Sequence, residues 1–181
     1  MLNYPGYAAL LRPIGQMLER LRIDSFVMRP GWEGFVVRDK TRNRAQLTPR
    51  ERAFLAELHS NHGGMAQYNV LPPAVGILEW HVTEGDIERY EREGRDQRRA
   101  GRNTPDAHSV SHVLRVLGSI LDQKGGRLVS VSKDEQIVAL EYDLTRGRMA
   151  AERFDMPALY DLWVRMYMKR TARNVDAGYS A

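Results

Sequence analysis

Two segments of the chain resemble each other, and this internal likeness constrains the fold more than any other sequence feature. The first segment reads LLRPIGQMLERL from Leu10, and the second reads VLRVLGSILDQK from Val113. A repeat has to be recognised before single elements are assigned, because it fixes the architecture. At one constant spacing, four positions are identical in the two segments: Leu11 with Leu114, Arg12 with Arg115, Gly15 with Gly118, and Leu18 with Leu121.

A second shared pattern, D-x-T-R-x-R, follows in residues 39–44 and 143–148, at a spacing one residue longer. Asn43 and Gly147 occupy equivalent positions in the two segments, and both residue types adopt a positive φ at low cost. The aspartate and threonine of such a turn bond to the local backbone, whereas arginine suits bidentate contact with phosphate. The pattern therefore predicts two equivalent hairpins that carry the candidate anion-binding residues Arg42, Arg44, Arg146 and Arg148.

The periodicity of apolar residues predicts the same order of elements in both copies. Leu10, Ile14 and Met17 form one helical stripe, and Leu114, Leu117 and Leu121 form another. Strands are predicted at 25–29, 35–38 and 44–47 in the first copy and at 127–132, 136–143 and 148–154 in the second, each set followed by a helix. The prediction is an α+β fold in one domain, 1–181. Two α-β-β-β-α units, at 8–61 and 106–170, join into one antiparallel sheet with helices on one face.

Residues 62–105 have no counterpart in this scheme and are predicted to form a helical, charged insert. Thr83 followed by Asp86 marks a helix start, and pairs of opposite charge four residues apart support an exposed helix. The insert is interpreted either as a solvated connecting helix or as a basic arm. Residues 171–181 are predicted to be a flexible tail. The arginines of the possible arm are Arg95, Arg98, Arg99 and Arg102.

Composition excludes several classes of protein. The chain has no cysteine, which rules out disulfides, thiolate zinc sites, iron–sulfur clusters and a cysteine nucleophile. Lysine and arginine total 27 against 23 acidic residues, a net charge of +4 that permits an anionic partner without demanding one. No apolar run reaches the roughly 18–20 residues of a membrane span, and the first residues lack the features of a signal peptide. A cytoplasmic protein is expected.

The segment LTPRERAFLAEL, from Leu47 to Leu58, resembles the opening of LuxR-type helix-turn-helix domains. Those domains begin with a T-P-R-E-R cap and a leucine-rich helix. The resemblance ends at Leu58, before a recognition helix would begin. It implies a well-capped helix here, and no function is carried over from it.

Two histidines are candidates for a metal site. His108 and His112 lie four residues apart on one predicted helix and could present two imidazoles to a metal ion. The alternative interpretation is that both are solvated, because they lie opposite the apolar stripe of their helix and close to Arg115.

The function expected from the sequence is that of a non-enzymatic binding protein without a cofactor. No P-loop, nucleophile elbow or dinucleotide-binding pattern is visible. The leading hypothesis is that the arginines named above bind nucleic acid or an acidic protein surface. One alternative is a small-molecule or metal site in a cleft between the repeats. Another is a structural homodimer formed through the apolar helix that contains Trp163 and Met166.

Overall fold

The computed structural model describes residues 6–31, 34–41, 46–60, 79–98, 109–144 and 147–166. They form an α+β fold with a six-stranded antiparallel sheet, which confirms the predicted class. The elements in chain order are α1 (Tyr7–Arg20), β1 (Phe26–Gly31), β2 (Gly34–Asp39), α2 (Pro49–Ser60), β3 (Glu79–Thr83), α3 (Glu84–Arg98), α4 (Val110–Lys124), β4 (Arg127–Asp134), β5 (Ile137–Leu144), β6 (Arg148–Asp155) and α5 (156–166).

The order of strands across the sheet is β3-β2-β1-β4-β5-β6. Counted outward from its centre, each half therefore contains its first, second and third strand in the same succession. The central strands β1 and β4 pair through Met28 and Val131, and Met28 pairs on its other side with Val37 of β2. The sheet is continuous because β1 and β4 join the two halves through main-chain hydrogen bonds.

One face of the sheet holds the core. Phe35 and Val37 on β2, like Val138 and Leu140 on β5, point to this face and are buried. Each of these β2 residues is separated from its β5 counterpart by the same number of residues that separates Gly15 from Gly118. Their side chains belong to one apolar cluster with the buried leucines of α1 and α4. Buried positions alternate with more exposed ones along β1, β2, β4 and β5, which shows that the helices pack against this face.

Helices α1 and α4 approach each other so closely that backbone touches backbone. A Cβ atom placed on Gly15 would lie 2.4 Å from the Cα of Ser111, and one placed on Gly118 would lie 2.5 Å from the amide nitrogen of Ala8. Ala8 and Ser111 are themselves related by the spacing that relates the two glycines. Each helix therefore packs its glycine against the first turn of the other. Only glycine leaves room for this approach.

The same two helices cap each other. The first N–H groups of a helix have no acceptor within the helix, and a carboxylate is favourable there. Asp122, near the end of α4, accepts the N–H groups of Tyr7 and Ala8 at 2.8 and 3.1 Å. Glu19, near the end of α1, accepts the N–H of Ser111 at 2.9 Å. The α1–α4 contact is thus reciprocal in both its glycines and its caps.

Two other helices begin where the sequence predicts. At the start of α2, Thr48 and Glu51 form a capping box, with the Thr48 N–H donating to Glu51 at 2.8 Å and the Glu51 N–H donating to the Thr48 hydroxyl at 3.3 Å. Thr83 and Asp86 form the corresponding pair at the start of α3, at 2.9 and 3.3 Å. Both predicted helix starts are confirmed.

The prediction of the third strand in the first half is wrong. Residues 42–45 lie outside the described part of the chain, but Gln46 and Leu47 are not in a strand, and Leu47 is buried directly before the cap of α2. The strand that pairs with β2 is β3, which falls within 62–105. Its sequence, EWHVT, alternates polar and apolar residues as a strand requires. Strand β3 leads directly into α3, just as β6 leads directly into α5.

The α1–α4 contact predicts the effect of adding one methyl group. Gly118→Ala or Gly15→Ala would force the two helix backbones apart, and each should lower the free energy of unfolding by about 1–3 kcal/mol. Gly85→Ala in α3 is the matched control, because a Cβ there would meet only the Thr83 hydroxyl, at 3.8 Å. It should be neutral or stabilise by up to about 1 kcal/mol. Urea denaturation of the three variants measures this, and equal stability of all three would contradict the contact.

Candidate binding surface

The second face of the sheet, here called the open face, is the candidate functional surface. Every described position on it is half-buried or exposed, in contrast to the buried positions that alternate with it along β1, β2, β4 and β5. No helix of the described residues packs against it. The side chains on β1, β2 and β4–β6 that define it are Val27, Arg29, Val36, Arg38, Arg127, Ser130, Ser132, Asp134, Ile137, Ala139, Glu141, Asp143, Met149, Ala151, Arg153 and Asp155.

The middle of the open face carries small, uncharged side chains. Val27, Ser132 and Ala139 lie side by side on β1, β4 and β5 in one row of the register. Their side chains are small, so a partner could approach the backbone of the sheet closely. Ile137 and Met149, also on this face, are 44% and 62% exposed. They are the large hydrophobic residues that the described part of the chain leaves most open to water, and such exposure is typical of interaction surfaces.

The open face carries charges of both signs. On β1 and β2 it carries Arg29 and Arg38, and Arg38 lies opposite Glu79 of β3 in the register. On β5 and β6 it carries three carboxylates and one arginine, namely Glu141, Asp143, Asp155 and Arg153. Asp143 pairs with Arg127 of β4, with 3.4 Å between the guanidinium nitrogen and the carboxylate oxygen.

The first D-x-T turn is held together by local hydrogen bonds. Asp39 is buried and accepts the N–H of Thr41 at 2.8 Å and its hydroxyl at 2.9 Å. The interpretation of this aspartate and threonine as a turn cap is therefore confirmed for Asp39 and Thr41. The next residue after Asp39 is Lys40, which pairs with Asp134 at the end of β4. The Lys40 ammonium, helped by the Ser25 hydroxyl, holds the pKa of Asp134 below its ordinary value.

A buried lysine stabilises the ends of β1 and β4 beside this turn. Lys133 is only 2% exposed and lies on the core side of β4, opposite Phe26. Its ammonium donates to the carboxylate of Asp24 at 2.6 Å and to the carbonyl oxygens of Asp24 and Glu135 at 2.9 and 2.8 Å. A buried ammonium is costly unless its donors find acceptors, and here all three N–H groups have one. The lysine therefore ties the entry to β1 to the turn after β4.

A second polar network lies towards the opposite end of the strands. The buried Tyr142 hydroxyl accepts from the Lys124 ammonium at 3.0 Å and donates to Glu152 of β6. Lys124, the last residue of α4, also pairs directly with Glu152. These bonds from Lys124 and Tyr142 lower the pKa of Glu152, and the bond to Glu152 raises the pKa of Lys124. The network anchors the end of α4 to the last strand.

The structure places Asp39 and Asp143, the first residues of the two D-x-T-R-x-R segments, at opposite ends of the strands. Asp39 pairs with Phe26, the first residue of β1, whereas Asp143 pairs with Arg127, the first residue of β4. Since β1 and β4 are antiparallel neighbours, Phe26 lies beside the end of β4 and not beside its start. Asp39 and Asp143 therefore lie at opposite ends of the strands. They also differ in direction: Asp39 points to the core face and Asp143 to the open face, because their spacing is one residue longer than that of the buried strand positions.

Few of the arginines proposed from the sequence fall within the described residues. Arg148 is exposed at the start of β6. Arg95 and Arg98 lie on α3, which places their backbone only. The other five candidates lie outside the described residues: Arg42, Arg44, Arg99, Arg102 and Arg146.

The prediction of a solvated His112 is wrong. Its side chain is 8% exposed and stacks on the indole of Trp163, with ring centroids 4.3 Å apart. Helix α5 lies over this side of α4, which is why a position opposite the first apolar stripe is buried. His108 lies outside the described residues. Within those residues no cluster of three or more histidine and acidic side chains could hold a metal ion. Trp163, proposed as a dimer contact, is half-buried against its own chain.

The arginines of the open face were not among the sequence candidates. Arg29 and Arg38 belong to strands whose alternate residues are buried, so the signal for them was the period of two itself. Two residues before Arg29 is Val27, and two before Arg38 is Val36, so each arginine shares its face with a valine. A face that mixes valine and arginine lacks the clear polar pattern of a wet surface, and the sequence alone did not assign it.

Comparison with known proteins gives no relative: no family model, curated protein or solved structure matches the chain. Among the described residues, no helix combines the length and apolarity needed to cross a membrane.

The Lys124–Tyr142–Glu152 network predicts how stability depends on pH. Because the pKa of Glu152 is lowered in the folded state, its contribution is present above its ordinary pKa of 4.5 and is lost as the pH falls through the folded value. The raised pKa of Lys124 means that its contribution is present below 10.5 and is lost as the pH rises through the folded value. Glu152→Gln should cost about 0.5–1 kcal/mol between these limits and almost nothing in strong acid.

Urea denaturation at a series of pH values from acid to neutral measures this difference. Glu141→Gln is the matched control, because the carboxylate of Glu141 accepts from the Ser130 hydroxyl, at 2.7 Å, and bonds to no lysine of the described residues. Its effect should change less with pH. A cost of Glu152→Gln that stays constant down to the lowest pH would contradict the assignment.

Proposed function

We propose that the two halves of the fold are copies of one α-β-β-β-α unit. The reciprocal glycine contacts, the reciprocal caps and the matching succession of strands support this. The third strand and last helix of the first copy would then be β3 and α3, and the insertion would be the segment between β2 and β3, which contains α2. Such a duplication gives a sheet twice as wide as one unit could form. A wide sheet is what makes a broad binding surface available.

We further propose that the protein acts by binding another protein on the open face. The observation that carries this is the contrast between the two faces: one is buried beneath α1 and α4, while the other has no described residue buried on it. A sheet of six strands with no described helix on one face offers a broad surface. Small side chains in its middle and exposed Ile137 and Met149 suit close contact with a second apolar surface.

The charges of the open face favour a protein partner over nucleic acid. A phosphate backbone demands a surface that is positive along its path. Here Arg153 and Asp155 lie two residues apart on β6 and share the open face. Arg153 pairs with Ala139 of β5, which is two residues from Glu141. These carboxylates would repel phosphates over half of the face. A protein surface can offer both signs of charge, so it complements the open face better. Nucleic acid, the other partner expected from the arginines, is an outcome of the test below.

The test is site-specific photo-crosslinking in the natural host. A photoreactive phenylalanine analogue is placed at Ser132 or Ala139, in the middle of the open face, and the adducts are identified by mass spectrometry. The matched control is Gln123, which is exposed on the helical side of the molecule. We expect discrete protein adducts from Ser132 and Ala139 and none from Gln123. Equal adducts from Gln123, or none from the face, would contradict the proposal.

A second measurement separates nucleic acid from protein. Fluorescence anisotropy with labelled mixed-sequence DNA and RNA is carried out at low salt, where phosphate contacts are strongest. We expect no saturable binding. Binding that weakens steeply with salt and is lost in Arg29→Ala and Arg38→Ala would replace the protein partner by nucleic acid.

A further inference from the structure

The described residues fall into two halves that follow one another along the chain. The first half lies within 6–98 and contains β1–β3 with α1–α3, and the second lies within 109–166 and contains β4–β6 with α4 and α5. In the six-stranded sheet, the β1–β4 pairing is the one that joins a strand of the first half to a strand of the second. Each half is therefore one stretch of chain, and residues 99–108 connect the two.

The helices of the two halves meet as tightly as elements of a protein interior. Gly15 and Gly118 bring the backbones of α1 and α4 into contact, and Glu19 and Asp122 each cap the helix of the other half. The buried side chains of both halves form one apolar cluster. Separation of the halves would expose this cluster to water and leave both helices without their caps.

The strands are joined by polar contacts of the same kind. Of the three acceptors that surround the buried Lys133 ammonium, the carboxylate and the carbonyl oxygen of Asp24 belong to the first half, and only the carbonyl of Glu135 belongs to the second. The Tyr7 hydroxyl of the first half accepts the N–H of Leu128 at 3.2 Å. A second half without a first half would thus keep a buried ammonium with one acceptor, which is costly. Each half requires a partner half.

These contacts do not require that both halves belong to the same chain. They join residues 7–40 to residues 111–134, and the connecting residues 99–108 take part in none of those named above. The second half of another copy presents the same glycine, carboxylate, lysine and strand. It therefore fits the first half as well as the second half of the same chain does, and concentration decides between the two.

We infer that the surface between the halves also binds a second copy of this chain, by an exchange of halves. In the exchanged dimer, the first half of each copy pairs with the second half of the other, and a two-fold axis relates the two copies. Every contact between α1 and α4 and between β1 and β4 is kept, but it now joins two chains. The exchanged dimer contains two complete sheets and hence two open faces, so it presents the binding surface twice.

One row of the sheet provides the test, because the chain has no cysteine of its own. Val27 of β1 and Ala139 of β5 lie on either side of Ser132 of β4 in the register, on the same face. Residues directly opposite on antiparallel strands have Cβ atoms about 4.5–5.5 Å apart, so paired cysteines there can form a disulfide after a small adjustment. The Val27–Ser132 pair joins the two halves, whereas the Ser132–Ala139 pair lies within the second half.

Full chains that carry Val27→Cys are mixed in urea with full chains that carry Ser132→Cys, and the mixture is refolded under a mild oxidant. The total chain concentration is about 1 mM, which matches the effective concentration that a short connection gives to two linked parts. We expect a disulfide-linked dimer with one chain of each kind, identified by non-reducing electrophoresis and mass spectrometry. Its yield should fall at least about tenfold when the mixture is diluted about a hundredfold before refolding.

The matched control is a mixture of Ser132→Cys chains with Ala139→Cys chains. Exchange moves each second half as a whole, so these two cysteines stay in different sheets, and the yield of mixed dimer should be at least about tenfold lower. A chain that carries both Val27→Cys and Ser132→Cys should form its disulfide internally at low concentration, which shows that the pair can close. Equal yields from the two mixtures would overturn the inference. A mixture of Val27→Cys and Ser132→Cys chains that gives no linked dimer would overturn it as well.

Sedimentation velocity of the unmodified chain is an independent measurement. After refolding at about 1 mM and dilution, we expect a dimer that persists, because its dissociation requires the halves to separate. Unfolding and refolding at the lower concentration should convert this dimer to monomer. A chain that is monomeric after refolding at either concentration would overturn the exchange of halves. Photo-crosslinking from Ser132 in cells does not depend on this outcome, so the proposed function and the exchange of halves fail separately.

Discussion

The contact between α1 and α4 is the constraint on which the rest of the structure depends. At Gly15 and Gly118 the helix backbones touch, and at Glu19 and Asp122 each helix supplies the carboxylate that the other needs at its first turn. Close packing and capping therefore specify the same arrangement of the two helices. That arrangement sets β1 beside β4, and the six strands become one sheet because those two central strands pair.

Two polar networks, at opposite ends of the strands, stabilise this arrangement. Lys133 binds the chain that enters β1 to the turn after β4, and Lys124 binds the end of α4 to β6. Neither network faces the open side of the sheet. Apolar burial and buried polar bonding are thus concentrated on the helical side and the edges. The open face, with its half-buried valines and serines, has side chains that contribute little to the core, so selection for binding could shape them without loss of stability.

The sequence was informative wherever a local rule decides the structure. The capping boxes at Thr48 and Thr83, the helical stripes and most strands follow from spacing alone. It failed where a longer-range choice decides. Strand β3 was missed because its short alternating sequence lies within a segment that was predicted to be helical and charged. It forms a strand because it pairs with β2, which lies far from it in the sequence. His112 was misplaced because α5, far along the chain, covers it.

The candidate site was the least predictable part for a physical reason. The D-x-T-R-x-R segments attracted attention as a sequence match, yet one residue of difference in spacing turns Asp39 and Asp143 to opposite faces of the sheet. Which residues share the open face depends on the register of six strands, and no single segment contains that information. Arg29 of β1 and Glu141 of β5 share one face only when the whole sheet is assembled.

The mutual capping of α1 and α4 also has a consequence for the order in which the protein is made. When α1 leaves the ribosome, the acceptor for its first N–H groups, Asp122, has not yet been synthesised. The same delay holds for the backbone of Ser111, against which Gly15 must pack. The first half of the chain therefore cannot complete its helix contact during its own translation, and it stays open to chaperones until most of the chain has emerged. A fold built from two halves that cap each other is completed late.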